Sequence, residues 1–439
     1  MEMKLAKIIA LSSLTCITTA FATNGAFDYG FSEITRGMGG AGSALPQDTL
    51  IAAINPAGMV DVGKRLDFGA FFYVPTVSYV ATDVTPAQVG GIAVAPGYHA
   101  STDKLFFLPD FGYNHPINNK SAWGISMYSL AGFGGQFITN DNAYVAGGTP
   151  APGALGNNKL ETDLKQSITS VTYSHKFLSH SAWGVSLLFG LQALHVDGVS
   201  NLSNFTVDPN NLSNKGTDYS VGGGARFGVL FGVLPKLDLG ISYQPKMPMT
   251  KFHQYAGLLP NGGEFDIPAF GNIGLAWHII SNVVLVADME KIWYKDVPAY
   301  GTSHDALLNG PCTTASTCMG GANGAGFGWN NAVIYKLGAQ WKITKKTTLR
   351  AGLSHTNELL SNTYATENMI TPGAIIKNLY SLGATQDFSK KDAITAVVTY
   401  IPRQSLRSQN LFARPAIQYV TLNATGIGFG ISWSRVLSA

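Results

Sequence analysis

The chain has 439 residues, 29 Lys plus Arg against 26 Asp plus Glu, and a formal net charge of +3. Charged residues make up 13%, about half the share of an ordinary soluble domain, while Gly reaches 50 and aromatics 11%, which argues against a cytosolic enzyme. The small charge is unclustered, with no basic run longer than Lys345-Lys346 or Lys390-Lys391, so a nucleic-acid partner is excluded.

The N-terminus, "MEMKLAKIIALSSLTCITTAFATNGAF", sets Lys4 and Lys7 ahead of an apolar stretch from Ile8 to Thr19 and an Ala20-Phe21-Ala22 cleavage pattern. This predicts a secretory signal peptide over residues 1–22, because the apolar run is shorter than the roughly 20 residues a spanning helix needs. Cys16 lacks the Leu three residues earlier that marks a lipidated cysteine. Residues 23–64 come next and contain "RGMGGAGSALPQDTLIAAINPAGM", rich in Gly and Ala, with neither a helical nor a strand period.

From Arg65 onward the grammar is alternation. In "YKLGAQWKITKKTTLRAGLS", Tyr335, Leu337, Ala339, Trp341 and Ile343 share one face, and Leu349, Ala351 and Leu353 share one beyond the "TKKT" turn. That is a hairpin with one apolar and one polar or small face. About fourteen such segments begin near Leu66, Leu105, Trp123, Ile168, Trp183, Tyr219, Leu237, Ile273, Val283, Val333, Leu349, Tyr380, Ile394 and Ile427. "SAWG" occurs at 121–124 and again at 181–184, marking equivalent hairpin positions. Short turns such as "INNK", "LPK" and "ISN" take turns with loops of ten to forty residues.

An even strand count with short turns at one end and long loops at the other predicts an all-β outer-membrane barrel over residues 65–439. No apolar run after the signal reaches 18 residues, so helical spans are excluded, and only a closed sheet pairs every backbone group in hydrocarbon. A soluble sandwich or propeller would also alternate. Against it stand the signal peptide, the low charge, and Trp123, Trp183, Trp277, Trp293, Tyr294, Trp341 and Trp433 near segment ends, where interface girdles belong. A lumen of that size admits water. Residues 23–64, compact and rich in small residues, are expected to fold into it as a plug.

The plug sequence, with Asn55-Pro56-Ala57, resembles the N-terminal hatch of the outer-membrane long-chain fatty acid transporter family, FadL, whose relatives also import aromatic hydrocarbons. "LGISYQPKMPMTKF", "DIPAFGNIGLAW", "VADMEKIWY" and "KLGAQWKITKKTTLRAGLSH" resemble the same family in the same order. One departure concerns the end: the chain closes on "ISWSRVLSA", with Trp433 six residues from the terminus, where relatives tend to end on an aromatic residue.

The resemblance implies passive uptake of a hydrophobic molecule, a long-chain fatty acid first and an aromatic hydrocarbon as the alternative, through a lumenal site and out sideways into the membrane. It also implies a Gram-negative outer membrane, contact with its lipids and a monomer. In the family the exit lies at a kink in the third strand; here that strand loses its alternation at Gly132, Phe133, Gly134 and Gly135, where glycines mark bulges or simply pack small side chains.

For the ligand, "PKMPMTKFHQY" offers Met247, Met249 and Phe252 beside Lys246, Lys251 and His253, unless it is only a solvated loop end. Arg226 and Arg350 project to the lumen by alternation and could bind a headgroup or pair with the plug. A general diffusion porin is the rival, and it predicts a charge-lined constriction without a plug.

No serine sits in a nucleophile-elbow context and no His or Cys cluster has metal-ligand spacing, so no catalysis, metal or cofactor is expected. Cys312 and Cys318, an even pair in a long outer loop of an exported chain, are expected to form a disulfide; a metal site would need ligands beyond His304.

Overall fold

The computed structural model describes residues 24–85, 91–103, 105–145, 148–309, 312–361, 365–366 and 368–437; the expected signal peptide lies outside them. Alternating segments become strands wherever one face meets lipid and the other the lumen. In chain order they are β1 (Arg65–Ala81), β2 (Phe106–Asn118), β3 (Ser121–Ile138), β4 (Lys159–Leu178), β5 (Ser181–Asp197), β6 (Asp218–Leu234) and β7 (Leu237–Gln244). The second half of the wall is β8 (Phe270–Ile280), β9 (Val283–Ile292), β10 (Ala332–Lys342), β11 (Thr347–Thr356), β12 (Asn378–Asp387), β13 (Asp392–Gln409) and β14 (Tyr419–Val436). Neighbours pair antiparallel in sequence order, and β14 pairs with β1 from Arg65↔Val436 to Ala81↔Val420. The fourteen-stranded sheet is therefore closed. A short strand, Gly97–Ala100, is added to the outer end of β1.

Two strands begin well before their apolar alternation does. β4 starts at Lys159 and not near Ile168, and β14 at Tyr419 and not near Ile427. Their extra outer residues, such as Glu161, Asp163, Thr421 and Asn423, are polar because they stand above the hydrocarbon, where alternation of apolar side chains is not required.

The outer face carries an apolar band between aromatic rows. Trp277 and Trp341 are more than half exposed near the turn end, and Tyr335, Tyr380 and Tyr400 likewise near the loop end. On β10, Trp341 and Tyr335 are separated by six residues, about 20 Å of strand, close to the height of a hydrocarbon band. Tyr294, expected in that girdle, instead points inward and is fully buried. Its hydroxyl accepts from the Ala26 amide at 2.9 Å and donates to the Asn24 carbonyl at 2.6 Å, partners that only the interior provides.

Residues 24–64 lie inside the barrel near the short turns. They form a helix over Glu33–Arg36 and two 3-10 helices over Thr49–Ala53 and Pro56–Asp61. Each short element is capped by its own side chain: Ser32 accepts from the Thr35 amide, Asp48 from Leu50 and Asn55 from Ala57. The glycines of "GMGGAG" have a steric reason. Gly39 and Gly40 take φ of +68° and +84°, and a Cβ on Gly40 would stand 1.7 Å from the Tyr29 carbonyl oxygen.

Candidate functional site

Small wall residues let the N-terminal segment approach backbone to backbone. A Cβ on Gly184 of β5 would lie 2.4 Å from the Pro56 carbonyl carbon, and one on Gly228 of β6 2.1 Å from Asn55 Oδ1. Asn55 donates from Nδ2 to the Ser43 and Val229 carbonyls, both at 3.0 Å, so it ties its own turn to β6. Asn55, Pro56 and Ala57 are buried, on the glycine faces of β5 and β6.

Ion pairs fix the same segment elsewhere. Arg36 meets Asp28 at 2.8 Å, Glu33 at 2.9 Å and Asp110 of β2 at 3.4 Å. Asp288 of β9 accepts from the Gly42 and Ser43 amides at 3.0 and 2.9 Å. Burial raises the carboxyl pKa of Asp28, with Arg36 opposing, and holds Glu33 up at about 6 against the same guanidinium.

A fork opens in the wall at one place. β2 and β3 pair from Asn118↔Ser121 to Asp110↔Tyr128 and no further. Past that point β2 stays on β1 as far as Tyr73↔Phe106, and β3 stays on β4 as far as Ile138↔Lys159. The register shift in β3 falls between Ser129 and Ala131, just before the three glycines, which keep regular register with β4. Around and beyond it, Ser129 to Gly135 are all buried, so this half-strand is covered on both faces.

The N-terminal segment takes up the edge that β2 has left. Phe27 bridges to Ala131, Asp28 donates to the Leu130 carbonyl at 3.0 Å, and Gly132 donates to Ala26 at 2.8 Å. Toward the loop end the gap is closed again, where Thr102 donates to the Gln136 carbonyl at 2.8 Å.

Beneath the outer loops lies a cavity of about 110 Å³. Leu160 of β4, Leu202, Leu258, Phe327, Ile370 and Phe412 contribute to its apolar lining, and Asn201, His304 and Thr366 are its polar members. Lys, Arg, Asp and Glu are missing from the described lining. The long loops converge here because each must bury its apolar residues against the others. Cys312 and Cys318 are bonded, with Cα atoms 5.5 Å apart, and the next residue, Met319, both lines the cavity and bridges to Thr206.

Below the cavity an aromatic cluster continues inward. Phe327 lies 5.6 Å from Phe133 and 6.0 Å from Trp329, centroid to centroid; Trp329 lies 5.0 Å from Tyr300 and 5.1 Å from Tyr294. Tyr294 in turn meets Phe27 at 6.1 Å, so rings run from the cavity to the start of the N-terminal segment. Sequence reasoning missed Tyr300, Phe327 and Trp329. The sequence carried no distinct signal for them: the aromatic share of residues 293–331 is close to that of the whole chain, and only the folding of the loops over one another buries these rings.

The sequence candidates are dispersed around this centre. Met247 and Met249 pack on glycines of β5 and β6, and Phe252 joins the cluster through Phe265 at 6.4 Å. Lys251 is exposed and donates to the Asn261 carbonyl, while Lys246 pairs with Asp266 at 3.1 Å. Arg226 is buried against Phe270 and donates to the Ala52 carbonyl at 3.0 Å, Tyr128 at 3.1 Å and Gln244 at 2.7 Å. Arg350 donates to Gln340, Thr385 and Gln47. Both arginines therefore hold the N-terminal segment and stand outside the cavity lining.

His195, Glu161 and Asp197 come close enough to share a cation at the outer ends of β4 and β5. The Lys159 ammonium already sits on Asp197 at 2.7 Å and on Glu161, so it fills that position.

A closed fourteen-stranded barrel with an apolar outer band and an occupied lumen defines an outer-membrane transporter of hydrophobic compounds, not an enzyme. The chain belongs to the outer membrane protein transport family (OMPP1/FadL/TodX) of Gram-negative bacteria, whose model matches residues 13–425. Among solved structures it is similar to the toluene transporter TodX of Pseudomonas putida, with 17% identity over 94% of this chain and 99% of that one, at a TM-score of 0.65. It is also similar to a FadL homologue of Pseudomonas aeruginosa (16%, 96% and 100%, TM-score 0.64). The toluene transporter TbuX of Ralstonia pickettii is a third (14%, 93% and 99%, TM-score 0.59). Among curated proteins none matches the sequence.

Proposed function

We propose that this chain admits small, uncharged, apolar molecules, of the size of one aromatic ring, by binding them in the loop-roofed cavity and releasing them sideways at the fork between β2 and β3. The carrying observation is the cavity itself: about 110 Å³, apolar, and without a Lys or Arg in its described lining. An apolar cavity of roughly 150 Å³ takes benzene; this one, at about 110 Å³, is smaller, which sets one ring as the upper size of its occupant unless its loops yield. A long-chain fatty acid, the first expectation from sequence, needs more length and a cation for its carboxylate. The buried cations among the described residues, Arg36, Arg226, Lys336 and Arg350, are all engaged by protein groups.

Sideways release suits such a ligand, since entering water costs about 0.8 kcal/mol per exposed CH₂ equivalent. In this proposal residues 23–64 act as the plug that keeps the lumen from leaking, and the barrel works as a monomer.

Trp329, fully buried beside Phe327, provides the test. Titrating the purified protein with toluene should change its tryptophan emission, the change should vanish in Trp329→Phe, and palmitate should compete weakly. Tighter binding of palmitate than of toluene would overturn the choice of ligand.

A further inference from the structure

One side chain of the fork's own half-strand, Phe133, packs against the lining of the cavity through Phe327. Residues 131–136 read Ala-Gly-Phe-Gly-Gly-Gln, so Phe133 is the sole aromatic in the half-strand that borders the fork between Ala131 and Gln136. Its ring is fully buried and belongs to the cavity's wall cluster: 5.6 Å from Phe327 at an interplanar angle of 89°, 6.1 Å from Trp329 and 6.5 Å from Phe265. Phe327 lines the cavity directly.

On the fork side its chain neighbours carry no side chain and are themselves packed. A Cβ on Gly134 would stand 3.0 Å from the Thr162 carbonyl oxygen of β4 and 3.5 Å from Phe106 of β2, and one on Gly135 would meet Pro372 at 3.6 Å. Phe133 thus stands one ring behind the chamber, against Phe327 of its lining, and is flanked along its own strand by Gly132 and Gly134.

From this we infer that the Phe133 ring is the gate between chamber and fork, and that it sets the size of molecule that passes. The ring occupies a ring-shaped place among three aromatic partners. A single-ring hydrocarbon entering that place remakes the edge-to-face contacts Phe133 gives up, so the exchange is nearly balanced. A fused two-ring molecule overfills the place and must displace backbone or neighbouring rings, which a close-packed interior resists.

This inference rests on the proposal of sideways release, and the experiment separates the two. Uptake of toluene and of naphthalene is measured in vesicles carrying the full chain, with flux through protein-free vesicles subtracted. Wild type should prefer toluene by about tenfold, the usual discrimination of an apolar pocket against a modest excess of bulk. Phe133→Ala should speed toluene entry and bring the preference close to unity, and Phe133→Trp should slow both. Heat-modifiable gel migration reports whether each variant has formed its barrel. Should Phe133→Ala not fold, Phe133→Leu, narrower than the ring yet well tolerated in cores, must lower the preference. A folded Phe133→Ala or Phe133→Leu that keeps the wild-type ratio overturns the gate. Absence of toluene uptake by wild type sinks the transport proposal itself.

Discussion

Burial outweighs ion pairing at Glu33 and Asp48. Desolvation lifts Glu33 from 4.5 to about 6 although Arg36 is 2.9 Å away, and lifts Asp48 from 3.8 to about 6 with Asp67 adding to the effect while Ser32 and Arg65 oppose it. Asp28, Asp110 and Lys336 belong to the same field. The docked segment therefore holds protons that the undocked chain releases. Docking is strongest below about pH 4 and weakens as pH rises through about 6, by on the order of 2 kcal/mol per group. Single-channel recordings should show brief conductance bursts that grow more frequent from pH 5 to pH 7.5, and Glu33→Gln should flatten the trend. Bursts that become rarer with rising pH would contradict this sign.

At the scale of an element, β3 shows how one strand serves two partners. Its first half pairs on both sides and its second half pairs with β4 and the N-terminal segment. Replacing Gly132, Gly134 and Gly135 together by Val adds β-branched bulk that favours a regular strand and crowds the side facing Phe106. Barrel assembly should survive, since the register with β4 is already regular, while toluene uptake should fall to background. Unimpaired uptake would place the exit elsewhere. The glycines were legible as an interruption of alternation. The bulge itself, at Ser129 to Ala131, was not, because Ser-Leu-Ala carries no turn or bulge signal and the shift is set by which neighbour each half can reach.

For the whole molecule, the lumen's occupancy makes the barrel more than its wall. Residues 24–64 add no strand to the closed sheet, yet they hydrogen-bond to both halves of the wall, through Ser126 of β3, Ser242 of β7 and Asp288 of β9. Deleting residues 23–55 behind an intact signal should leave a barrel that inserts and shows heat-modifiable migration but conducts ions steadily in a planar bilayer. Silence, or failure to insert, would count against the plug.

Alternation, turn lengths and the even count of segments were enough to fix a fourteen-stranded barrel, because a strand in a membrane wall must present apolar and polar faces in strict turn. Small residues in a long strandless stretch likewise told of close packing against a wall. Only the tertiary structure decided where the site is. The cavity is made by loops distant in sequence, and whether Arg226 or Arg350 is available to a ligand depends on partners such as Ala52 and Gln47 that alternation cannot see. Tyr294 reads as an interface aromatic in a linear chain and is a core residue in the folded one, and Trp329, which alternation does not single out, is buried beside it, since burial of a loop depends on what folds over it.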